Sequence, residues 1–211
     1  MQELRLTARE IIDMVIPSPA TQKLRFLTIW FGANDSRLPD TPGTPQHIPL
    51  EQYVSNMRKI ITHSLIQAHE GVRIMVLTPP PVEETLQWNL DREKFPDLKS
   101  PRRVVESNAA YAKAVRELAN ELGVVCLDVW SILIKKTGYD SAGEKPLPGS
   151  RSSGIDPMLA DLLRDGLHFN PAGYKVVYDE LMALIAKTWP DQRPDELPFV
   201  LPAWDHPSAW S

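Results

Sequence analysis

The run "LRFLTIWF" (24–31) joins β-branched and aromatic residues with little polar interruption. Two further runs have the same character, "VRIMVLT" (72–78) and "VVCLDV" (124–129). Nearly continuous apolarity over six to eight residues is typical of strands that are buried on both faces, as in a parallel sheet. The three runs therefore predict three buried parallel strands.

The segments between these runs have the periodicity of helices. "LEQYVSNMRKIITHSLIQAHEG" (50–71) and "RRVVESNAAYAKAVRELANELG" (102–123) place apolar residues three and four positions apart, and each ends in a glycine. Strands that alternate with amphipathic helices predict parallel βαβ units with right-handed crossovers. The fold class expected from this pattern is α/β.

Two further helices are expected near the ends of the chain. The last runs from Pro171 to about Lys187, with Asn170 as its N-cap and the proline at the first helical position. The first runs from about Leu4 to Ile16. A chain of 211 residues suffices for one sizeable core. We therefore predict a single domain over residues 1–189 and a tail rich in proline and tryptophan over residues 190–211.

Composition excludes several classes of protein. The formal net charge of -4 leaves no basic stripe, so we expect no nucleic-acid partner. One cysteine, Cys126, rules out a disulfide framework and fits a reducing compartment. No run approaches the ~20 apolar residues that span a bilayer, and the first residues lack a signal peptide's core. We expect a cytoplasmic protein, provided that no N-terminal signal is missing, and the sequence favours no particular oligomeric state.

Neither a metal nor a cofactor is expected. His63 and His69 are six residues apart on a predicted helix, so they do not share a face as ligands four apart would. No other cluster has metal-ligand spacing. The sequence also lacks a glycine-rich phosphate loop.

The segment "DGLHFNPAGY" (165–174) contains a candidate acid–base pair. Asp165 lies three residues before His168, where a carboxylate can fix the tautomer of an imidazole that takes a proton on its other nitrogen. The alternative is an aspartate that caps a turn and a histidine that caps the following helix.

A second candidate follows the first strand. Asn34 comes two residues after Gly32, and its amide could donate a hydrogen bond to a developing oxyanion. Glycine, asparagine and aspartate are also the usual residues of a simple turn, and this segment alone favours that alternative.

Three blocks taken in order resemble the later blocks of the GDSL/SGNH hydrolases: "FGANDS" (31–36), "TPPPVEE" (78–84) and "DGLHFNPAGY". The segments "HIPLEQY" (47–53), "PLPGS" (146–150) and "LPFVLPAW" (197–204) resemble the isoamyl acetate-hydrolysing esterase branch. The resemblance implies a flavodoxin-like, three-layer α/β/α sandwich with a parallel sheet. It also implies that His168 is the general base, Asp165 its orienting carboxylate and Asn34 the oxyanion donor, in a loop shaped by Gly32.

The sequence departs from this family at its beginning. The family's nucleophilic serine and a glycine that donates to the oxyanion belong to blocks that precede the equivalent of residues 24–31. Residues 1–23 contain no glycine, and their one serine, Ser18, lies between two prolines. We expect neither Ser36 nor Ser141 to replace the nucleophile, since it needs the base and backbone donors beside it. The expectation is a chain without the family's first two strands, whose exposed strand edge the first helix partly shields.

Two hypotheses about function follow from the resemblance. The first is a carboxylic ester hydrolase that uses Ser-His-Asp acyl transfer on small, short-chain esters such as acetates, needs no cofactor, and lacks its serine block in this chain. The second is a truncated product or pseudoenzyme without hydrolase activity, which binds small esters or alcohols. A weaker third alternative is the specificity of a related lipase, acetylhydrolase or carbohydrate deacetylase.

Overall fold

The computed structural model describes residues 8–140, 146–197, 201–202 and 205–210. Its sheet consists of three parallel strands, β1 (Phe26–Ile29), β2 (Arg73–Leu77) and β3 (Val125–Leu127), in the order β1-β2-β3. The predicted parallel strands are thereby confirmed. They are shorter than the apolar runs because the flanking residues leave the ladder for loops and helices.

The helices pack on both faces of this sheet. They are α1 (Ala8–Val15), α2 (Leu50–Ile61), α3 (Ser64–Gln67), α4 (Glu84–Lys94), α5 (Val105–Leu122), α6 (Val129–Lys136), α7 (Pro157–Leu162) and α8 (Pro171–Thr188). Short 3-10 turns cover Arg151–Ser153, Pro190–Gln192 and Pro207–Trp210.

The alternation of side chains along β2 defines two cores. Ile74 and Val76 join a cluster built mainly from α2 and α5, whereas Met75 and Leu77 join a cluster built from α6, α7 and α8. Successive residues of a strand point to opposite faces, so a central strand must be apolar at every position when both faces are covered. The three-layer α/β/α arrangement is therefore the observed architecture.

The ends of the predicted helices depend on local capping. The predicted helix over residues 50–71 is interrupted after α2, and His63 caps the short α3 by accepting a hydrogen bond from the Leu65 N–H. In contrast, α5 continues to Gly123, which adopts the left-handed conformation with φ 65°. The N-cap predicted for α8 is also observed, since Asn170 Oδ1 accepts from the Gly173 N–H at 3.0 Å.

Three helices have no counterpart in the sequence analysis. The segments after β2 and β3 were expected to be loops, but they lead into α4 and α6, and α7 follows further along the chain. The buried residues of α4 are polar, namely Glu84, Gln87 and Asp91, so this helix has no apolar stripe to reveal it.

One edge of the sheet is formed by β1. Among the described residues, β1 pairs only with β2. Helix α1, whose predicted residues 4–7 lie outside the described part, buries Ile12 in the same core cluster as Ile29. Its Ile11, Met14 and Val15 remain exposed. The described helix thus covers apolar surface near β1 with one face only.

Parts of the predicted tail are described. Asp191 forms an ion pair with Arg73 of β2 at 2.5 Å, while Phe199 and Trp204 lie outside the described residues. None of the described helices is long and apolar enough to cross a membrane. The described part of the chain contains no group of three or more metal-ligating side chains.

Candidate active site

The ends of β1 and β2 and the segment before α8 meet at a cavity of about 220 Å³. It is lined by Trp30, Phe31, Gly32, Ala33, Asn34, Asp35, Pro80, Leu167, His168, Phe169 and Tyr174. Ligands of open parallel sheets collect at the carboxyl ends of the strands, which is where this cavity lies. It brings the candidate oxyanion donor and the candidate base, which are far apart in sequence, to one place.

The acid–base pair has the geometry of an oriented imidazole. His168 Nδ1 lies 2.7 Å from Asp165 Oδ2. The other oxygen, Asp165 Oδ1, accepts from the backbone N–H groups of Leu167 at 3.1 Å and His168 at 2.7 Å. With Nδ1–H donating to the carboxylate, Nε2 carries the lone pair and is free of partners among the described residues. The capping alternative holds as well, because the same aspartate also closes a local turn.

The charge of Asp165 is stabilised by this arrangement. Burial opposes its ionisation, but the hydrogen bonds from the His168 backbone and ring and from the Leu167 N–H outweigh that effect and lower the pKa of the carboxyl. The carboxylate is therefore ionised at neutral pH and can stabilise an imidazolium.

The lowered pKa of Asp165 predicts a pH-dependent contribution to stability. A carboxyl with a lower pKa in the folded state contributes stability above its ordinary pKa, near 3.8, and loses it as pH falls through the lower folded value. Asp165→Asn should therefore destabilise the protein at pH 7 and have a smaller effect at pH 2–3. Denaturant unfolding at several pH values measures this, and an equal loss at pH 7 and at low pH would contradict it.

The loop after β1 combines a turn with an exposed amide. Gly32 has φ 116° and its N–H donates to Asp35 Oδ2 at 3.1 Å, while its carbonyl accepts from the Ser36 N–H at 2.9 Å. A Cβ at Gly32 would lie 2.8 Å from Tyr53 Oη and 3.0 Å from Pro79 Cγ. Only glycine fits, so the turn interpretation is right, and the same turn places Asn34 at the cavity.

Asp35 is buried behind this loop and is not a second base on the cavity surface. Burial raises the pKa of its carboxyl, against the hydrogen bonds from its own backbone and from Gly32 and the charge of His47. Its carboxylate binds the Gly32 N–H and so supports the turn.

The block "TPPPVEE" has a structural role that the sequence analysis did not assign. Glu84 is 6% exposed, and its Oε1 accepts from the Val105 N–H at 2.7 Å while its Oε2 accepts from the Arg151 N–H at 3.2 Å. It therefore caps α5, whose own N-cap residue, Val104, provides no side-chain hydrogen bond. A valine at an N-cap was the available signal that another element supplies the cap.

No serine lines the described cavity. Ser36 is 2% exposed and its hydroxyl donates to the Ala33 carbonyl at 3.3 Å, inside the domain. The Ser18 hydroxyl accepts from the Ala20 N–H in an exposed turn. Ser141 lies outside the described residues. The described site thus combines a base, its carboxylate and an amide donor.

Comparison with known proteins agrees with this site. The model of the GDSL-like lipase/acylhydrolase family matches residues 6–176. A GDSL esterase/lipase of Arabidopsis thaliana is 32% identical over 181 residues, which are 85% of this chain and 66% of that protein. The isoamyl acetate-hydrolyzing esterase 1 homolog of Bos taurus is 34% identical over 179 residues, 84% of this chain and 60% of that protein.

Solved structures share the fold. A catalytic mutant of an acetylxylan esterase from Geobacillus stearothermophilus superposes with a TM-score of 0.50 and 18% identity, covering 76% of this chain and 58% of that chain. The present chain thus spans 60–66% of the length of the two relatives above. Since the family match covers most of the chain and contains all three motif blocks, the chain belongs to the GDSL-like lipase/acylhydrolase family.

Proposed function

We propose that this chain carries the base, orienting carboxylate and oxyanion donor of a carboxylic ester hydrolase. The observation that supports the proposal is the single cavity that contains both Asn34 and a His168 ring held at Nδ1 by Asp165. A proton acceptor and an amide donor on one small cavity are what acyl transfer requires beside its nucleophile.

In the proposed mechanism a serine hydroxyl attacks the ester carbonyl carbon and His168 Nε2 takes its proton. Asp165 stabilises the imidazolium, and the Asn34 amide donates to the oxyanion of the tetrahedral intermediate. The imidazolium then gives the proton to the departing alcohol, and water releases the acid from the acyl-enzyme in a second round. Because no described serine lines the cavity, the proposal takes the hydroxyl from outside the described residues.

The proposed substrates are small, short-chain esters, such as acetates. At about 220 Å³ the cavity is smaller than the roughly 300–1,000 Å³ typical of drug-sized ligands. Four aromatic residues, Trp30, Phe31, Phe169 and Tyr174, form much of its lining and suit a short acyl or alkyl group. Two of the proteins similar to this chain are named for acetate esters, isoamyl acetate and acetylxylan.

The test is hydrolysis of p-nitrophenyl acetate by the purified chain, with His168→Ala alongside. We expect the chain by itself to show only background hydrolysis, since a base without a serine cannot form the acyl-enzyme. Turnover that is lost in His168→Ala would show that a serine of this chain serves after all, and would contradict that part of the proposal.

The second candidate function is a non-catalytic product that binds small esters or alcohols, and the cavity without a described serine favours it. The transcript upstream of the first codon separates the two. An in-frame Gly-Asp-Ser after an apolar run favours the hydrolase, and its absence favours the non-catalytic product. In a longer protein that contains the serine, His168→Ala should lower kcat by about 10²–10⁴-fold. Retention of activity there would overturn the role proposed for His168.

A further inference from the structure

Asn34 is an exposed residue whose side chain is nevertheless held by a buried cation. Arg103, 5% exposed, donates from Nη2 to Asn34 Oδ1 at 3.0 Å and from Nε to the Ala33 carbonyl at 3.4 Å. The same Nη2 donates to Gln46 Oε1 at 3.2 Å. One guanidinium thus binds both the backbone and the side chain of the loop that lines the cavity.

This contact sets which end of the carboxamide is free. A guanidinium has five N–H donors and no acceptor, so only the oxygen of Asn34 can face Arg103. The amide nitrogen, which is the donor that an oxyanion needs, is then left on the other side of the group. Polarisation of the amide oxygen by a cation also strengthens donation from its N–H, because hydrogen bonds in a chain reinforce one another.

The three groups that accept from Arg103 are all neutral. The nearby carboxylate of Asp91 instead binds Arg102 at 2.5 Å. Burial, and then the charges of Arg102 and Arg37, lower the pKa of Arg103 to about 10, which leaves it protonated at neutral pH. Burying a charge with only neutral partners costs stability. A purely structural link between loops could be made by a neutral donor at smaller cost.

We propose that Arg103 is a positioning residue that holds the Asn34 carboxamide with its nitrogen toward the cavity. The inference rests on the proposed role of Asn34 as oxyanion donor. It extends that role by naming the side chain that fixes the donor's direction before any ester is bound. Such preorganisation is what makes an oxyanion donor effective.

The test measures the side-chain rotamer of Asn34 by NMR, in Arg103→Met and in the wild type. Three-bond couplings from Asn34 Cγ to its backbone nitrogen and carbonyl carbon report the χ1 populations. In the wild type one rotamer should dominate. Loss of a charge-assisted hydrogen bond should lower the ratio of that rotamer to the others by at least about tenfold. An unchanged ratio would overturn the proposal.

Arg37→Met is the matched control. Arg37 is 1% exposed and also binds neutral acceptors, Thr41 and the Thr44 carbonyl among them, but it makes no hydrogen bond to Asn34. Its replacement should lower the melting temperature and leave the Asn34 rotamer ratio as in the wild type. An equal collapse of that ratio in both variants would mean that loss of packing, not the Arg103 contact, moves Asn34.

A second variant covers the case in which Arg103→Met does not fold. In Asn34→Ala the Arg103 Nη2 protons should exchange with water at least about tenfold faster than in the wild type, because one acceptor is gone. Unchanged exchange would show that the contact is not formed in solution. Both measurements are made without ester, so a chain that proves inactive as a hydrolase leaves the result for Arg103 unaffected.

Discussion

Gly166→Ala is expected to destabilise the protein by about 3 kcal/mol, through backbone strain of roughly 1–3 kcal/mol and a steric clash of similar size. Gly166 has φ 82°, and a Cβ there would lie 2.4 Å from the Glu83 carbonyl oxygen and 2.9 Å from the Gln87 nitrogen. Both atoms belong to the backbone and cannot rotate away. The Gly166 carbonyl also accepts from the Glu83 N–H at 2.8 Å, so any shift breaks that hydrogen bond.

The measurement is urea unfolding of Gly166→Ala beside Gly138→Ala. Gly138 has a similar φ of 73°, but a Cβ there would meet nothing within 4 Å. The control therefore has the strain without the clash and should lose only about 1 kcal/mol. Equal losses in the two variants would show that the close approach to Glu83 is unimportant. Because Gly166 directly follows Asp165, the variant should also disturb the hydrogen bond between Asp165 and His168.

Glu84→Ala is expected to lower the free energy of unfolding by about 2–5 kcal/mol, since it leaves two backbone N–H groups without their acceptor at roughly 1–3 kcal/mol each. The two groups are those of Val105, at the start of α5, and of Arg151, and the Val105 bond is a buried one. Thermal and urea unfolding give the size of the loss. The near-ultraviolet circular dichroism of the folded variant shows whether the fold survives.

Glu84→Gln is the matched control for Glu84→Ala. It keeps the size of the side chain, but its carboxamide has one acceptor oxygen where the carboxylate has two. Only one of the two N–H groups can then be satisfied, and the loss should lie between those of the wild type and of Glu84→Ala. A Glu84→Ala variant as stable as the wild type would refute the capping role.

The predictions that were correct from sequence concern neighbours along the chain. The two-faced apolar runs specified the strands, and the 3.6-residue period together with Gly123 specified α5. The pair of Asp165 and His168 is equally local, because its hydrogen bonds span two or three residues. The roles of this pair and of Asn34 in ester hydrolysis remain predictions.

What periodicity could not reveal is polar and buried. Helix α4 was missed because its inward residues include Glu84, Gln87 and Asp91, which read as a solvated surface in the sequence. The break between α2 and α3 was missed because the apolar pattern continues through it.

The sequence by itself determined the α/β class, the parallel strands, the main helix ends and the local acid–base pair, because each depends on residues within a few positions of one another. Only the tertiary structure decided that Arg103 holds Asn34, 69 residues away, and that Glu84 caps a helix beginning 21 residues later. The physical reason is that a charge can be buried only where packing brings it suitable acceptors or donors. That match depends on the positions of whole strands and helices rather than on the order of residues near the charge.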